Sequence, residues 1–107
     1  MPLPHKKVLE IIDKHASLEK DLSVTQLDSK TFAQKSKEYS SLNEIITNAL
    51  EYSNYEKNKN DLEKIFLDKN SDDEMKNLAK IELDDLLQKH KHNEIKLKIF
   101  LLPKDEA

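Results

Sequence analysis

The sequence predicts an all-α fold, a three-helix bundle in which two helices form a long antiparallel hairpin. No glycine occurs in the 107 residues, although strand turns usually need the positive φ that glycine adopts most easily. Charged and hydrophobic residues each make up 36% of the chain, a balance typical of amphipathic helices with one apolar stripe each. Three- and four-residue spacing of apolar positions then predicts helices at roughly 4–22, 30–67 and 72–101.

The first predicted helix covers residues 4–22. Its inward stripe follows alternating three- and four-residue steps: Val8, Ile11, His15, Leu18 and Leu22. Leu9 and Ile12 are expected to widen this stripe. Pro4 suits the first turn, where a missing N–H costs nothing. Residues 23–29 have no period, which predicts a connector.

The second predicted helix covers residues 30–67, and hydroxyl caps are available from Ser29 to Thr31. Its apolar side is marked by Phe32, Tyr39, Leu42, Ile45, Ile46, Ala49, Tyr52, Tyr55, Leu62, Ile65 and Phe66. A helix of this length would measure ~54 Å. Because a small core cannot cover that length, part of the helix is expected to project from the bundle.

The third predicted helix covers residues 72–101, with Ser71 and Glu74 in a capping-box pattern. Its inward stripe is Ala79, Leu83, Leu86, His90, Asn93, Leu97 and Phe100. Acidic residues concentrate early in this helix and lysines late, an order that complements the helix dipole. We expect this helix to pair antiparallel with the second one.

The end of the chain is unusually apolar. Residues 99–102 read Ile-Phe-Leu-Leu, and Pro103 follows them. Such a run gains little from exposure to water, so it is interpreted as the lead-in to a further element. We also expect residues 99–102 to pack against a neighbouring copy of the chain, without physiological meaning.

Composition limits the classes of function. The net charge is -3 and every basic residue is lysine, which disfavours nucleic-acid binding over the whole surface and bidentate recognition of DNA bases. The lack of cysteine fits a reducing compartment. No apolar run reaches the length of a membrane span. A cytoplasmic protein with neither a DNA nor a membrane partner is therefore expected.

The histidines are predicted to be structural and not metal ligands. His90 and His92 lie about 200° apart around a helix, so they cannot share a ligand face, and His5 lies in the frayed start. No metal and no cofactor is expected. His15, His90 and Asn93 occupy inward positions, where they are predicted either to lie at the bundle edge or to meet as a polar layer that fixes helix register. The alternative is a pH-sensitive packing switch.

Four lysines and two tyrosines are further candidate residues. Lys89, Lys91, Lys96 and Lys98 could contact RNA phosphates, but they do not fall on one side of a helix and no aromatic platform accompanies them. Tyr52 and Tyr55 are predicted to pack and not to bind a ligand. Without glycine there is no phosphate-binding loop and no nucleophile elbow. The chain alone is therefore predicted not to be an enzyme, and no catalytic residue is named.

Three stretches resemble one family. Phe32 to Leu42 is similar to the entry to the long second helix of bacterial class I peptide chain release factors. Leu101 to Asp105 is similar to the join between their N-terminal helical domain and their codon-reading domain, and Leu78 to Leu83 fits the same template. The resemblance covers Val8 to Asp105 and points to the factor-1 type.

The resemblance implies a role in translation termination, in which such factors enter the ribosomal A site, read UAA or UAG and trigger peptidyl-tRNA hydrolysis. Residues 1–102 would be the N-terminal helical domain, and residues 103–107 the start of a linker. The family's Gly-Gly-Gln and Pro-x-Thr tripeptides are both missing from this sequence, so no catalytic or decoding residue is carried over. The binding residues stay unknown.

The partners implied by the resemblance are the factor-binding region of the large ribosomal subunit and the recycling GTPase release factor. A docking role without decoding or catalytic motifs follows. Two alternatives remain open at this point: a free-standing coiled-coil adaptor that binds a protein partner, and a small RNA-binding helical protein.

Overall fold

Five helices make up the computed structural model, which describes residues 3–24 and 26–103. They are α1 (His5–Ser23), α2 (Ser29–Asn43), α3 (Ile46–Ser53), α4 (Tyr55–Leu67) and α5 (Asp73–Phe100), and this part of the chain contains no strand. The all-α prediction is confirmed. No described residue has a positive φ, so the fold has no position there that calls for glycine.

The predicted second helix is divided into three. The first break lies at Ile45 (φ -121°, ψ -7°) and the second at Asn54 (φ -93°, ψ 2°). Backbone hydrogen bonds continue across both breaks, from Ile45 N to Leu42 O (3.0 Å) and from Asn58 N to Asn54 O (3.0 Å). The breaks are therefore bends in a nearly continuous helical path. A period count does not detect them because it averages over several turns.

These bends change the packing partners. α2 packs against α1, α3 lies against both α1 and α5, and α4 pairs with α5. α1 and α2 run antiparallel, since Asp21 meets Lys35 while His15 meets Asn43. The predicted hairpin therefore consists of α3 and α4 against α5, while α2 turns back along α1.

The core lies where α1, α2, α3 and the end of α5 meet. Its buried members are Leu3, Val8, Ile11, Leu18, Leu42, Ile45, Ala49 and Leu97. The predicted stripe of α1 is confirmed at Val8, Ile11 and Leu18, and Ile12 packs at its edge. Leu9 was expected to join it but is 42% exposed, because it lies on the side of α1 that no other helix covers.

The two side-chain caps come from aspartates and not from the predicted hydroxyls. Asp28 accepts from Thr31 N (3.1 Å) at the start of α2, and Asp72 accepts from Met75 N (2.8 Å) at the start of α5. Ser71 instead donates its backbone N–H to Asp68 O (3.2 Å) in the preceding turn. A carboxylate both accepts the free N–H and interacts favourably with the positive end of the helix dipole.

The far end of the molecule is a thin two-helix arm, formed by α4 and the first half of α5. α4 has no buried residue, and Ala79 is the buried residue that α5 contributes to the arm. The molecule measures 59 × 35 × 19 Å. The prediction that part of the helical hairpin projects beyond the core is confirmed.

The apolar run at residues 99–102 is partly covered. Phe100 packs against the core, and Leu101 lines an open groove of about 620 Å³ together with Ile11 and Leu42. Ile99 and Leu102 are 62% and 50% exposed. Residues 104–107 lie outside the described residues.

Candidate functional site

The base of the arm holds a stacked aromatic cluster formed by Tyr52 of α3, Tyr55 of α4 and His90 of α5. The ring centroid of His90 lies 4.6 Å from that of Tyr52 and 3.7 Å from that of Tyr55, with interplanar angles of 13° and 16°. The bend at Asn54 separates the two tyrosines, and both still reach the same imidazole. The cluster ties three helices together at the point where the arm leaves the core.

An amide and carboxylate network lies one turn further along α5. Asn93 is only 3% exposed; its Oδ1 accepts from Asn48 Nδ2 (2.9 Å), and its Nδ2 donates to Glu51 Oε2 (3.1 Å). Both partners lie on α3. Because each hydrogen bond needs one alignment of α3 against α5, the network fixes the register of this pair.

The electrostatics of the aromatic cluster follow from its burial. Desolvation lowers the pKa of His90, and the nearby carboxylates Glu94 and Glu56 only partly oppose it. Desolvation, with a smaller contribution from Glu94, raises the pKa of Tyr52. His90 Nδ1 is buried and has no hydrogen-bond partner among the described residues. The site thus favours a neutral imidazole.

His15 occupies a second, separate cluster on the side of α1 that faces α2. Its ring stacks on Tyr39 with centroids 4.8 Å apart, and Nε2 donates to Asn43 Oδ1 (2.6 Å). The side chain of Glu19 accepts from the Tyr39 hydroxyl (3.4 Å). The predicted polar layer is therefore split. His90 and Asn93 belong to the base of the arm, and His15 joins α1 to α2.

The late lysines of α5 do not form one basic surface. Lys98 pairs with Glu94 (3.0 Å) on its own helix, and Lys89 lines a small recess of about 170 Å³ beside His90. Lys91 and Lys96 are exposed. The prediction that these side chains do not share one side of a helix agrees with this arrangement.

Within residues 3–24 and 26–103, no group of three His, Cys, Asp or Glu side chains is placed to hold a metal ion. In the same residues, no helix combines the length and apolar character needed to cross a membrane. The arrangement at the base of the arm contains aromatic packing and hydrogen bonds that hold helices in place. These contacts hold α3, α4 and α5 together at the point where the arm leaves the core.

Sequence reasoning assigned Tyr52 and Tyr55 to packing but did not identify their common partner. A signal was available: the tyrosines are three residues apart, so both lie on the face of the second predicted helix that was expected to meet the third. What sequence could not supply was the register of that pairing, which the Asn93 network sets.

Comparison with known proteins supplies the family. The PCRF domain model matches residues 11–107, which is most of the chain. The chain belongs to the PCRF domain family. Its matched region includes α2 to α5 and most of α1. This match, together with relatives named peptide chain release factor 1, confirms the resemblance to class I release factors of the factor-1 type.

Individual relatives agree with this assignment. The chain is 54% identical over 105 residues to peptide chain release factor 1 of Pelagibacter ubique, covering 98% of this chain and 29% of that protein. It is 43% identical over 98 residues to the Wolbachia pipientis protein of the same name, and the match covers 87% of this chain and 26% of that protein. Peptide chain release factor 1 of Alkaliphilus oremlandii is 35% identical to the chain over 101 residues, and the match covers 92% of this chain and 28% of that protein.

The chain thus spans 26% to 29% of the length of these relatives. No solved structure matches it. Membership in this family agrees with the resemblance that the sequence motifs indicate.

Proposed function

We propose that residues 1–102 are the N-terminal helical docking domain of a release factor that directs UAA- or UAG-dependent release of the nascent peptide in the cytoplasm. Residues 103–107 are proposed to begin the linker to the decoding and hydrolysis region. The proposal is supported by the names of the relatives and by the PCRF match. The absence of glycine removes Gly-Gly-Gln, so the proposed role is docking and not hydrolysis.

The observation that carries the docking role is the apolar end of the arm. We define the arm tip as Phe66, Leu67 and Met75, whose exposed fractions are 40%, 75% and 48%. All three lie beside the turn between α4 and α5, more than two turns beyond the Tyr55–His90 stack. An apolar surface at the end of a braced arm suits binding to a partner more than it suits stability of the monomer.

Acidic residues at the start of α5, Asp72, Asp73 and Glu74, adjoin the tip in sequence, and Lys69 and Lys76 flank them. The proposed partners are the factor-binding region of the large ribosomal subunit and the recycling GTPase release factor. The acidic excess over residues 68–76 favours a basic protein surface over bare RNA, because RNA phosphates would be repelled. We therefore expect the tip to contact protein.

The test uses the 107-residue chain and ribosomes stalled with a stop codon in the A site. We expect the chain to bind these ribosomes and to compete with an intact factor-1-type release factor, while releasing no peptide. Measurable release by the chain alone would contradict the docking role, and so would a lack of competition at saturating concentrations.

A matched pair of variants locates the contact. Leu67→Gln is expected to weaken ribosome binding about tenfold, the loss of a typical interface anchor. Leu9→Gln changes an exposed leucine on α1 and is expected to have no effect. Both variants keep good helix propensity. Equal binding by the two variants would show that the arm tip is not the docking surface.

A further inference from the structure

The outer face of α5, turned away from α3 and α4, carries a second periodic pattern. Steps of three and four residues link its members, all exposed: Leu78, Ile81, Asp85, Gln88, His92, Ile95 and Ile99. The four apolar members are 54%, 58%, 59% and 62% exposed, in chain order. Such steps place side chains along one face of a helix. We call this set the outer stripe.

Charges beside the outer stripe change sign halfway along it. Glu82, Asp84 and Asp85 lie in the first half, and Lys89, Lys91 and Lys96 lie in the second. All six are exposed, and none forms an ion pair with another described residue. Their charges are therefore available to a second molecule.

The stripe is self-complementary about Gln88. Ile81 and Ile95 lie seven residues to either side of Gln88, and Leu78 and Ile99 lie ten and eleven residues away. If a second α5 lay antiparallel with Gln88 at the centre, apolar residues would meet apolar residues. In the same register Glu82 would face Lys96, and Asp84 would face Lys91, of the other copy.

We propose that the outer stripe of α5 binds the outer stripe of a second copy of this chain, with the two helices antiparallel. The contact from Leu78 to Ile99 is ~31 Å long. A parallel pair would bring the two acidic first halves together and the two lysine-bearing second halves together, and like charges repel. The charge order therefore selects both the occupant and its direction.

The middle of the stripe sets the strength of this association. Asp85, Gln88 and His92 are polar, so the interface has two short apolar contacts separated by a polar centre. Polar residues at inward coiled-coil positions lower stability while fixing register. The dimer is therefore expected at high protein concentration, with a dissociation constant of roughly 100 µM, and to weaken as salt rises.

A charge-swap experiment tests the pairing. The variant Glu82→Lys/Asp84→Lys and the variant Lys91→Glu/Lys96→Glu are each expected to be monomeric in sedimentation at concentrations where the natural chain dimerises. Mixing them brings every reversed charge opposite its complement, so a heterodimer is expected. Lys30→Glu/Lys37→Glu on α2 is the control, since it makes the same charge change as the second variant away from α5 and should leave the dimer intact.

Direction is measured with spin labels, because the chain has no cysteine and single sites can be introduced. Labels at Gln88→Cys should lie close together across the dimer. Labels at Asn77→Cys should lie ~33 Å apart, the axial separation for antiparallel helices centred on Gln88.

Three results would overturn the proposal: a natural chain that stays monomeric at roughly 1 mM, charge-swap variants that fail to pair when mixed, and a short distance between labels at residue 77. Circular dichroism confirms that each variant is folded. This inference is independent of the docking role, because Leu67 is not part of the outer stripe and ribosome binding is assayed at concentrations where the chain is monomeric.

Discussion

Replacing His90 with phenylalanine is expected to stabilise the protein. The buried Nδ1 of His90 has no hydrogen-bond partner among the described residues, and an unsatisfied buried polar atom costs about 1–3 kcal/mol. Phenylalanine keeps an aromatic ring against Tyr52 and Tyr55 and removes that atom. The recess of about 170 Å³ beside His90 gives the larger ring room. We expect the free energy of unfolding to rise by about 1 kcal/mol in His90→Phe at pH 8.

The pH dependence of this variant follows from the lowered pKa of His90. The folded state binds fewer protons at this site than the unfolded state, so the stability contributed by neutral His90 is present above the unfolded pKa of about 6.5 and is lost as pH falls through the folded pKa. Phenylalanine cannot titrate. The advantage of His90→Phe over the natural chain should therefore grow between pH 8 and pH 5.

His15→Phe is the matched control, because His15 also stacks on a tyrosine but donates a hydrogen bond to Asn43. Removing that donor is expected to cost about 1 kcal/mol. Urea unfolding followed by circular dichroism at pH 5, 6 and 8 measures both variants. Destabilisation by His90→Phe at pH 8, or an advantage that does not grow at pH 5, would refute the role assigned to the buried nitrogen.

Three further predictions concern the core, a cap and an ion pair. Leu97→Ala should lower the free energy of unfolding by about 2–5 kcal/mol, because Leu97 is fully buried, whereas Ile99→Ala at an exposed site should change it by less than about 0.5 kcal/mol in the monomer; urea titration separates the two. Asp72→Ala should cost about 1 kcal/mol and Ser71→Ala almost nothing, since Asp72 makes the cap bond; a larger loss in the serine variant would assign the cap to Ser71. Lys35 Nζ lies 2.6 Å from Asp21 Oδ2 and lowers the pKa of that carboxyl, so Lys35→Met should raise the Asp21 pKa in an NMR titration, and an unchanged value would contradict the contact.

Several features of this protein could be predicted from sequence because they depend on local chemistry. The absence of glycine and the three-four spacing led to an all-α fold, and the structure has no described residue with a positive φ. The inward stripe of α1 was predicted correctly at Val8, Ile11 and Leu18, since the period of one helix is contained in its own residues. The resemblance to release factors was visible in short stretches and is confirmed by the family match and by relatives named peptide chain release factor 1.

Tertiary structure decided the bends and the register. The three-four spacing does not mark Ile45 or Asn54 as a break, yet at these bends the packing partners change, with α2 against α1, α3 against both α1 and α5, and α4 against α5. The meeting of Tyr52, Tyr55 and His90 depends on the register of two segments far apart in sequence. The spacing of apolar side chains predicts which face of a helix is buried. Which residues of two helices meet across that face depends on how one helix packs on the other.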